Sequence, residues 1–84
     1  MENDGEFLGS DERVVVSPAS GVFVPADGLG DHLTPGSTLG VIRSAGEDIP
    51  VLSPFSGRLV SLDAVAGQRV LVHERIGWLR SIPA

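Results

Sequence analysis

The side chains of this sequence best suited to metal binding or acid–base chemistry are its two histidines. His32 follows Asp31, and His73 precedes Glu74, so each imidazole has an acidic neighbour. A zinc site needs three or four converging ligands, and a sequence without cysteine supplies no thiolate for one. We therefore expect no metal site, and we expect both histidines to lie on the surface near turns.

Nucleophilic catalysis is equally weakly indicated. Ser20, Asp27 and His32 are the residue types of a hydrolase triad, but neither a nucleophile elbow nor an oxyanion element accompanies them. A chain of 84 residues forms one domain and buries only ~60% of its unfolded surface, which leaves little room for an enclosed active site. We assign no catalytic residue and expect the protein not to be an enzyme.

Charge divides the chain into two parts. Residues 1–13 hold five acids against one arginine, a net charge of −4, whereas residues 14–84 hold six acids against five arginines, a net charge of −1. The first part is Gly-containing and acidic, which predicts a disordered tail over 1–13 and a folded domain over 14–84. The tail also contains Phe7 and Leu8, which could form a short binding motif or pack on an edge strand.

Composition also limits the partners and the cellular location. No basic face is available to neutralise phosphates, so we expect no nucleic-acid partner. No apolar run approaches the ~20 residues that span a bilayer, and no basic segment followed by an apolar stretch marks a signal peptide. A cytoplasmic protein without a membrane span is the expectation.

The elements that must position any site are short β-strands. Each apolar run is rich in Val, Ile and Leu and is bounded by Gly, Pro, Ser or Asp, and no long window keeps a helical spacing. This pattern predicts an all-β sandwich or barrel. The runs are Val14–Val16, Val22–Val24, Leu39–Ile42, Ile49–Leu52, Leu59–Leu62, Val70–Val72 and Ile76–Leu79.

The chain repeats itself once. SPASG (17–21) returns as SPFSG (53–57) after 36 residues, and the segment 30–42 matches 67–79 after 37 residues. One extra residue between Val60 and Gly67 accounts for the difference. Two copies are too few for a solenoid, so we predict two halves of one domain, related by a pseudo-twofold axis and unable to bury their apolar faces separately.

Turn chemistry adds detail to the repeat. The TPGS segment (34–37) predicts a type II turn with Gly36 at positive φ. The segment 72–75 was aligned with it and lacks both Pro and Gly, so we expect a type I turn there. The SAGED segment (44–48) predicts the tip of a hairpin, with Gly46 at positive φ.

These segments together resemble the biotinyl/lipoyl attachment domain of biotin carboxyl carrier proteins and of the lipoyl domains of 2-oxoacid dehydrogenases. The resemblance covers about residues 14–82. It implies a flattened barrel, also called a barrel-sandwich hybrid, of two four-stranded antiparallel sheets. The two copies of the internal repeat are then related by a pseudo-twofold axis. The matched segments are SPASGVF (17–23), GDHLTPGSTL (30–39), the hairpin 41–52 and SPFSGRL (53–59).

In that family the hairpin tip bears the lysine that is modified, and Gly46 occupies its position when residues are counted back from Ser53. The whole sequence contains no lysine. Biotin and lipoate are attached through an amide to a lysine amine, so we expect no covalent biotin, no lipoate and no other cofactor. The chain is therefore interpreted as a non-catalytic, lysine-less carrier-like module, an accessory or protein-interaction partner of an acyl-CoA carboxylase or related carrier-dependent enzyme.

Two alternatives remain open at this point. One is a subunit of a biosynthetic enzyme system that reuses the fold for catalysis or noncovalent ligand binding. The other is the lipoyl-like piece of a membrane-fusion adaptor. The possible interaction residues include the hairpin tip, which consists of Ala45, Gly46, Glu47 and Asp48. Phe55, which replaces Ala19 of the first copy, is a second candidate. Trp78 is a third, although core packing is favoured for it over an interface role.

Overall fold

The computed structural model describes residues 12–81, which form eight β-strands. Seven strands overlap the apolar runs of the sequence, and only β3, two residues long, was missed because it is too short to show a periodic pattern. The strands are β1 (Glu12–Val16), β2 (Gly21–Pro25), β3 (His32–Leu33), β4 (Thr38–Ser44), β5 (Glu47–Leu52), β6 (Gly57–Leu62), β7 (Arg69–Val70) and β8 (Arg75–Arg80).

The strands form two four-stranded antiparallel sheets, as predicted. The first sheet has the order β1-β8-β6-β3, and the second has the order β5-β4-β2-β7. The all-β, flattened-barrel architecture is therefore confirmed. No helix in the described part of the chain is long and apolar enough to cross a membrane.

The start of the folded region differs slightly from the predicted boundary. β1 begins at Glu12, so Glu12 and Arg13, which were assigned to the tail, pair with β8 in the first sheet. The remainder of the predicted tail, including Phe7 and Leu8, lies outside the described residues.

The two halves of the sequence are interleaved rather than side by side. Strands 36 or 37 residues apart are equivalent, so β1 to β4 correspond to β5 to β8, and equivalent strands lie in opposite sheets. Each sheet consequently contains two strands from each half. β2 pairs with β7, and β3 pairs with β6, across the boundary between the halves. Neither half has a complete sheet of its own.

The core lies between the two sheets and draws on every part of the repeat. Phe23 is fully buried, and Leu59 packs against the core from its edge. The inward positions follow the alternation of strand side chains. Among residues 12–81, ten hydrophobic residues form the buried cluster: Val15, Phe23, Leu33, Leu39, Ile42, Val51, Ala64, Val70, Ile76 and Leu79.

Two buried serines connect the halves. Ser17 and Ser53 are the equivalent residues of the two Ser-Pro segments, and each is almost completely buried. Each hydroxyl donates to the carbonyl two residues further on, Ala19 O at 2.6 Å and Phe55 O at 2.7 Å. The amide of Ser17 donates to Glu74 O in the second half, and the amide of Ser53 donates to Ser37 O in the first. A buried polar side chain is thereby satisfied, and each half is hydrogen-bonded to a turn of the other.

One of the two turns at these contacts differs from the predicted turn type. Ser37 N donates to Thr34 O at 2.9 Å and Gly36 has φ 93°, which confirms the type II turn. Its counterpart spans 71–74, one residue earlier than predicted, and Glu74 N donates to Leu71 O at 3.0 Å. His73, with φ 72°, stands in the Gly36 position, so the expected type I turn is wrong.

A side chain holds this second turn in the strained conformation. The Leu71 amide donates to the Glu74 carboxylate at 2.8 Å, much as the Thr34 amide donates to Ser37 Oγ at 3.0 Å. β7 ends at Val70 because Leu71 already belongs to the turn, and this explains why the predicted strand over Val70–Val72 is cut short.

The extra residue of the second copy is a bulge. Leu59 pairs with Leu79 and Ser61 pairs with Trp78, so Val60 has no partner of its own in β8 and is 45% exposed. This lies at the start of the interval in which the repeat requires one additional residue. A bulge adds a residue without changing the inward direction of its neighbours further along the strand.

Four repeated glycines mark places where backbones nearly touch. A Cβ atom added at Gly57 would lie 2.6 Å from Arg80 O, and one at Gly21 would lie 2.5 Å from Arg43 O. A Cβ atom added at Gly77 or at its equivalent Gly40 would likewise collide with a backbone carbonyl oxygen, that of Ser61 or Val24 respectively. These positions therefore recur in both copies because no side chain fits.

We expect Gly57→Ala to lower the free energy of unfolding by about 1–3 kcal/mol, because the backbone of β8 must move to admit the methyl group. Gly30 is the matched control, since a Cβ there meets no atom within 4 Å. Gly30→Ala should leave the free energy of unfolding unchanged or raise it by up to ~1 kcal/mol. Denaturant titration followed by tryptophan fluorescence measures both, and equal losses would contradict the close crossing.

We expect His73→Gly to raise the free energy of unfolding by about 0.5–1 kcal/mol, because glycine adopts positive φ without the contact that a Cβ makes. His32→Gly serves as the control, since His32 lies in β3 and a glycine there weakens the strand by ~0.5–1 kcal/mol. The two variants should thus shift the denaturation midpoint in opposite directions. A fall in both would show that positive φ at residue 73 carries no strain.

Candidate functional site

The β4–β5 hairpin ends in a two-residue tip on the second sheet. Ser44 and Glu47 are the last paired residues, and Ala45 and Gly46 between them have φ 50° and 83°. Positive φ at both central residues defines a type I′ turn, whose twist matches that of the flanking strands. The expected conformation of Gly46 is confirmed, whereas the positive φ of Ala45 was not foreseen. Both residues are exposed, and a Cβ at Gly46 would meet no atom within 4 Å.

Charges beside the tip are partly neutralised. Arg43 and Asp48 face each other across the hairpin, and Arg43 donates from Nε to Asp48 Oδ1 at 3.0 Å and from Nη2 to Oδ2 at 3.4 Å. This hydrogen bonding, together with the attraction between the charges, raises the pKa of Arg43 above its ordinary value. The Glu47 side chain is exposed and makes no hydrogen bond or ion pair with residues 12–81, so the tip carries one carboxylate without an ionic partner there.

The side chains of the tip are few and small. Its side chains are a methyl group, a hydrogen and two carboxylates, one of which is paired with an arginine. None of them is a primary amine or a nucleophile of the kind that carries an acyl group. The paired strands and the type I′ turn present this surface in one conformation, which suits contact with another macromolecule.

Phe55 lies far from the tip. It follows β5 at the end opposite the hairpin turn, and the six residues of that strand extend ~20 Å. Its ring is partly buried, and the guanidinium carbon of Arg13 lies 5.6 Å from the ring centroid. The two candidate positions therefore do not form a single site.

Trp78 lies on the outer face of the first sheet, outside the buried core. It stands between Gly77 and Leu79, which are buried, and the alternation of strand side chains turns it outward. The favoured expectation of core packing is wrong. The side chain is half-buried, it faces Val14 on one neighbouring strand and Ser61 on the other, and the Arg80 guanidinium lies 6.0 Å from its ring centroid.

The residues considered for acid–base chemistry do not converge. His32 is exposed in β3 and His73 is exposed in a turn, and the described residues contain no group of three His, Cys, Asp or Glu that could hold a metal ion. Ser20 Oγ accepts a hydrogen bond from Val72 N at 2.9 Å. No hydrogen bond joins Ser20, Asp27 and His32 within residues 12–81.

Comparison with known proteins shows the fold. No protein-family model matches the sequence, and no curated protein matches it. A solved structure of a single-chain, multi-domain long-chain acyl-CoA carboxylase is similar over 86% of this chain, with a TM-score of 0.76 and 18% identity. The Kluyveromyces lactis urea carboxylase is similar over 94% of this chain, with a TM-score of 0.73 and 20% identity.

The similarity concerns only a small part of each carboxylase. This chain spans 7% of the acyl-CoA carboxylase chain and 6% of the urea carboxylase chain. At these identities the comparison establishes a shared fold. The 84-residue chain therefore has the fold of a small segment within two much longer carboxylase chains, which is consistent with the fold implied by the resemblance drawn from its sequence.

Proposed function

We propose that this chain is a non-catalytic biotinyl/lipoyl-like module without an attachment lysine, and that it acts through contact with other proteins. Its partner would be an acyl-CoA carboxylase or a related carrier-dependent enzyme. One observation carries the proposal: the hairpin that corresponds to the family's attachment site ends in Ala45 and Gly46, and no residue of the sequence is a lysine.

The chemistry of attachment supports the absence of a covalent cofactor. Forming the amide to biotin or lipoate requires a primary amine on a side chain, which can lose its proton and attack an activated acyl group. The six basic residues are all arginines, and a guanidinium stays protonated in proteins. Restoring the amine would need a substitution, and at Gly46 an added Cβ would meet no atom within 4 Å, but a side chain there would be strained by the φ of 83°.

The tip retains features that suit docking. Its type I′ turn and its ladder of pairs from Ser44–Glu47 back to Thr38–Leu52 hold the exposed surface in one shape. Binding by a preformed surface loses less conformational entropy than binding by a loop that must be ordered. The single uncompensated carboxylate of Glu47 would favour a partner surface with a complementary positive charge.

We expect the full chain to gain no mass when it is incubated with biotin ligase or lipoate ligase, ATP and the free cofactor. The physical reason is the missing side-chain amine. Intact-protein mass spectrometry is the measurement, and a lysine-containing biotin carrier domain in the same reaction shows that the ligase is active. A single added biotinyl or lipoyl group would contradict the proposal.

We also expect the tagged full chain to retain subunits of a carboxylase or of another carrier-dependent enzyme from an extract of the producing organism. Glu47→Arg should reduce the retained amount several-fold, because it reverses the uncompensated charge at the tip. Asp27→Arg is the matched control, an exposed acid in the loop after β2, and it should leave retention unchanged. Retention that is identical for all three proteins would remove the tip from the proposal, and no retained enzyme would count against the function itself.

A further inference from the structure

The outer face of the first sheet carries a row of charged side chains across all four strands. Glu12 pairs with Arg80, Arg80 pairs with Arg58, and Arg58 pairs with His32. Residues directly opposite one another project from the same face of a sheet. All four are exposed, so the row is open to solvent.

The second sheet can be compared with this row position by position, because the repeat makes the two sheets equivalent. Its residues at the equivalent positions are different. The corresponding row is Asp48, Arg43, Val22 and Arg69. There the arginine next to the acid is held by two hydrogen bonds to it, and its other neighbour is a valine. The equivalent positions of the first sheet hold Arg80 and Arg58.

Arg58 and Arg80 are two like charges placed directly opposite each other, an arrangement that weakens a sheet. Neither arginine makes an ion pair within residues 12–81, and Arg80 lies over the Trp78 ring instead of bonding Glu12. The first sheet therefore holds two adjacent guanidinium groups without an ion pair, where the equivalent positions of the second sheet hold one arginine and one valine.

The next row of side chains along the first sheet also differs from the equivalent row of the second sheet, because it contains an aromatic ring. Val14 faces Trp78 in the first sheet, whereas the equivalent residues in the second sheet are Pro50 and Val41. Val14 is 44% exposed. We call Val14, Arg58, Trp78 and Arg80 the Arg–Trp face. Paired guanidinium groups bind carboxylates, and an aromatic ring beside them binds an apolar side chain.

We propose that the Arg–Trp face binds an acidic, aromatic-containing peptide, and that its occupant is the segment 1–11 of this same chain. The segment reads MENDGEFLGSD, and it contains four acids, no basic residue, and the apolar pair Phe7 and Leu8. Its charge complements the arginine pair. Phe7 or Leu8 supplies the apolar group that the Trp78 ring and Val14 leave uncovered.

Connectivity favours this occupant over a separate molecule. The segment joins β1 at Glu12, whose side chain is itself a member of the charged row. Crossing the sheet from Glu12 to His32 covers three strand spacings, about 14 Å, whereas eleven extended residues reach ~36 Å. A short tether also gives the segment an effective concentration on the order of millimolar at the face.

The proposal is independent of the proposed function and is tested on the full chain by NMR. We expect nuclear Overhauser contacts from the Phe7 ring or the Leu8 methyls to the Trp78 indole or the Val14 methyls. An isotope-filtered experiment on a mixture of labelled and unlabelled chains should show that these contacts lie within one molecule. Contacts between two molecules, or no contacts, would overturn the proposal.

Charge variants supply a second readout, because the chain has one tryptophan. Neutralising Glu2, Asp4 and Glu6 together should shift the Trp78 indole resonance and abolish the contacts, and Arg58→Gln should produce a shift in the same direction. Salt near 1 M, where the Debye length is about 3 Å, should weaken the contacts in the unmodified chain. Arg69→Gln, which removes an exposed arginine from the second sheet, is the matched control and should leave the indole resonance in place. An indole resonance that is the same in the unmodified chain and in the neutralised variant would refute the contact.

Discussion

The interleaving of two similar half-chains is the constraint on which the rest of this structure depends. Because every sheet takes two strands from each half, the barrel closes only when both halves are present. The buried serines are hydrogen-bonded from one half to the other, and the four crowded glycines lie where two strands of the same half approach closely. These residues recur in the sequence because the same packing problem is solved twice, once in each sheet.

Most of the architecture was readable from the sequence because strand alternation and the repeat are local patterns. The hairpin tip and the Gly36 turn were predicted correctly for that reason. Properties that depend on how the strands pair within each sheet could not be predicted from the sequence. Core packing was favoured over an interface role for Trp78, and the burial of its neighbours Gly77 and Leu79 in β8 shows that its side chain faces outward. The histidine at positive φ was missed because a residue held by tertiary hydrogen bonds need not match its turn preference.

The surface distinguishes the two halves where the core does not. Pseudo-symmetry makes each sheet a reference for the other, so a difference between equivalent exposed residues is not demanded by folding. By this criterion the second sheet separates its two arginines with Val22 and binds Arg43 to Asp48, whereas the first sheet holds two adjacent arginines and an indole. The carrier-type fold and the chemistry on its surface are thus separable, as the glycine at the hairpin tip also illustrates.

The equivalence of the hairpin tip and the ends of the described chain has a topological consequence. Arg43 and Asp48 beside the tip correspond to Arg80 and Glu12, which pair on adjacent strands near the two ends of the described range 12–81. The barrel therefore has two equivalent pairs of neighbouring strand ends. Ala45 and Gly46 join one pair, β4 and β5, and no turn joins the other pair, β8 and β1. A circular permutant that joins Ser81 to Glu12 through a short turn and is cut between Ala45 and Gly46 would keep all eight strands in place, and its first strand would be the present β5.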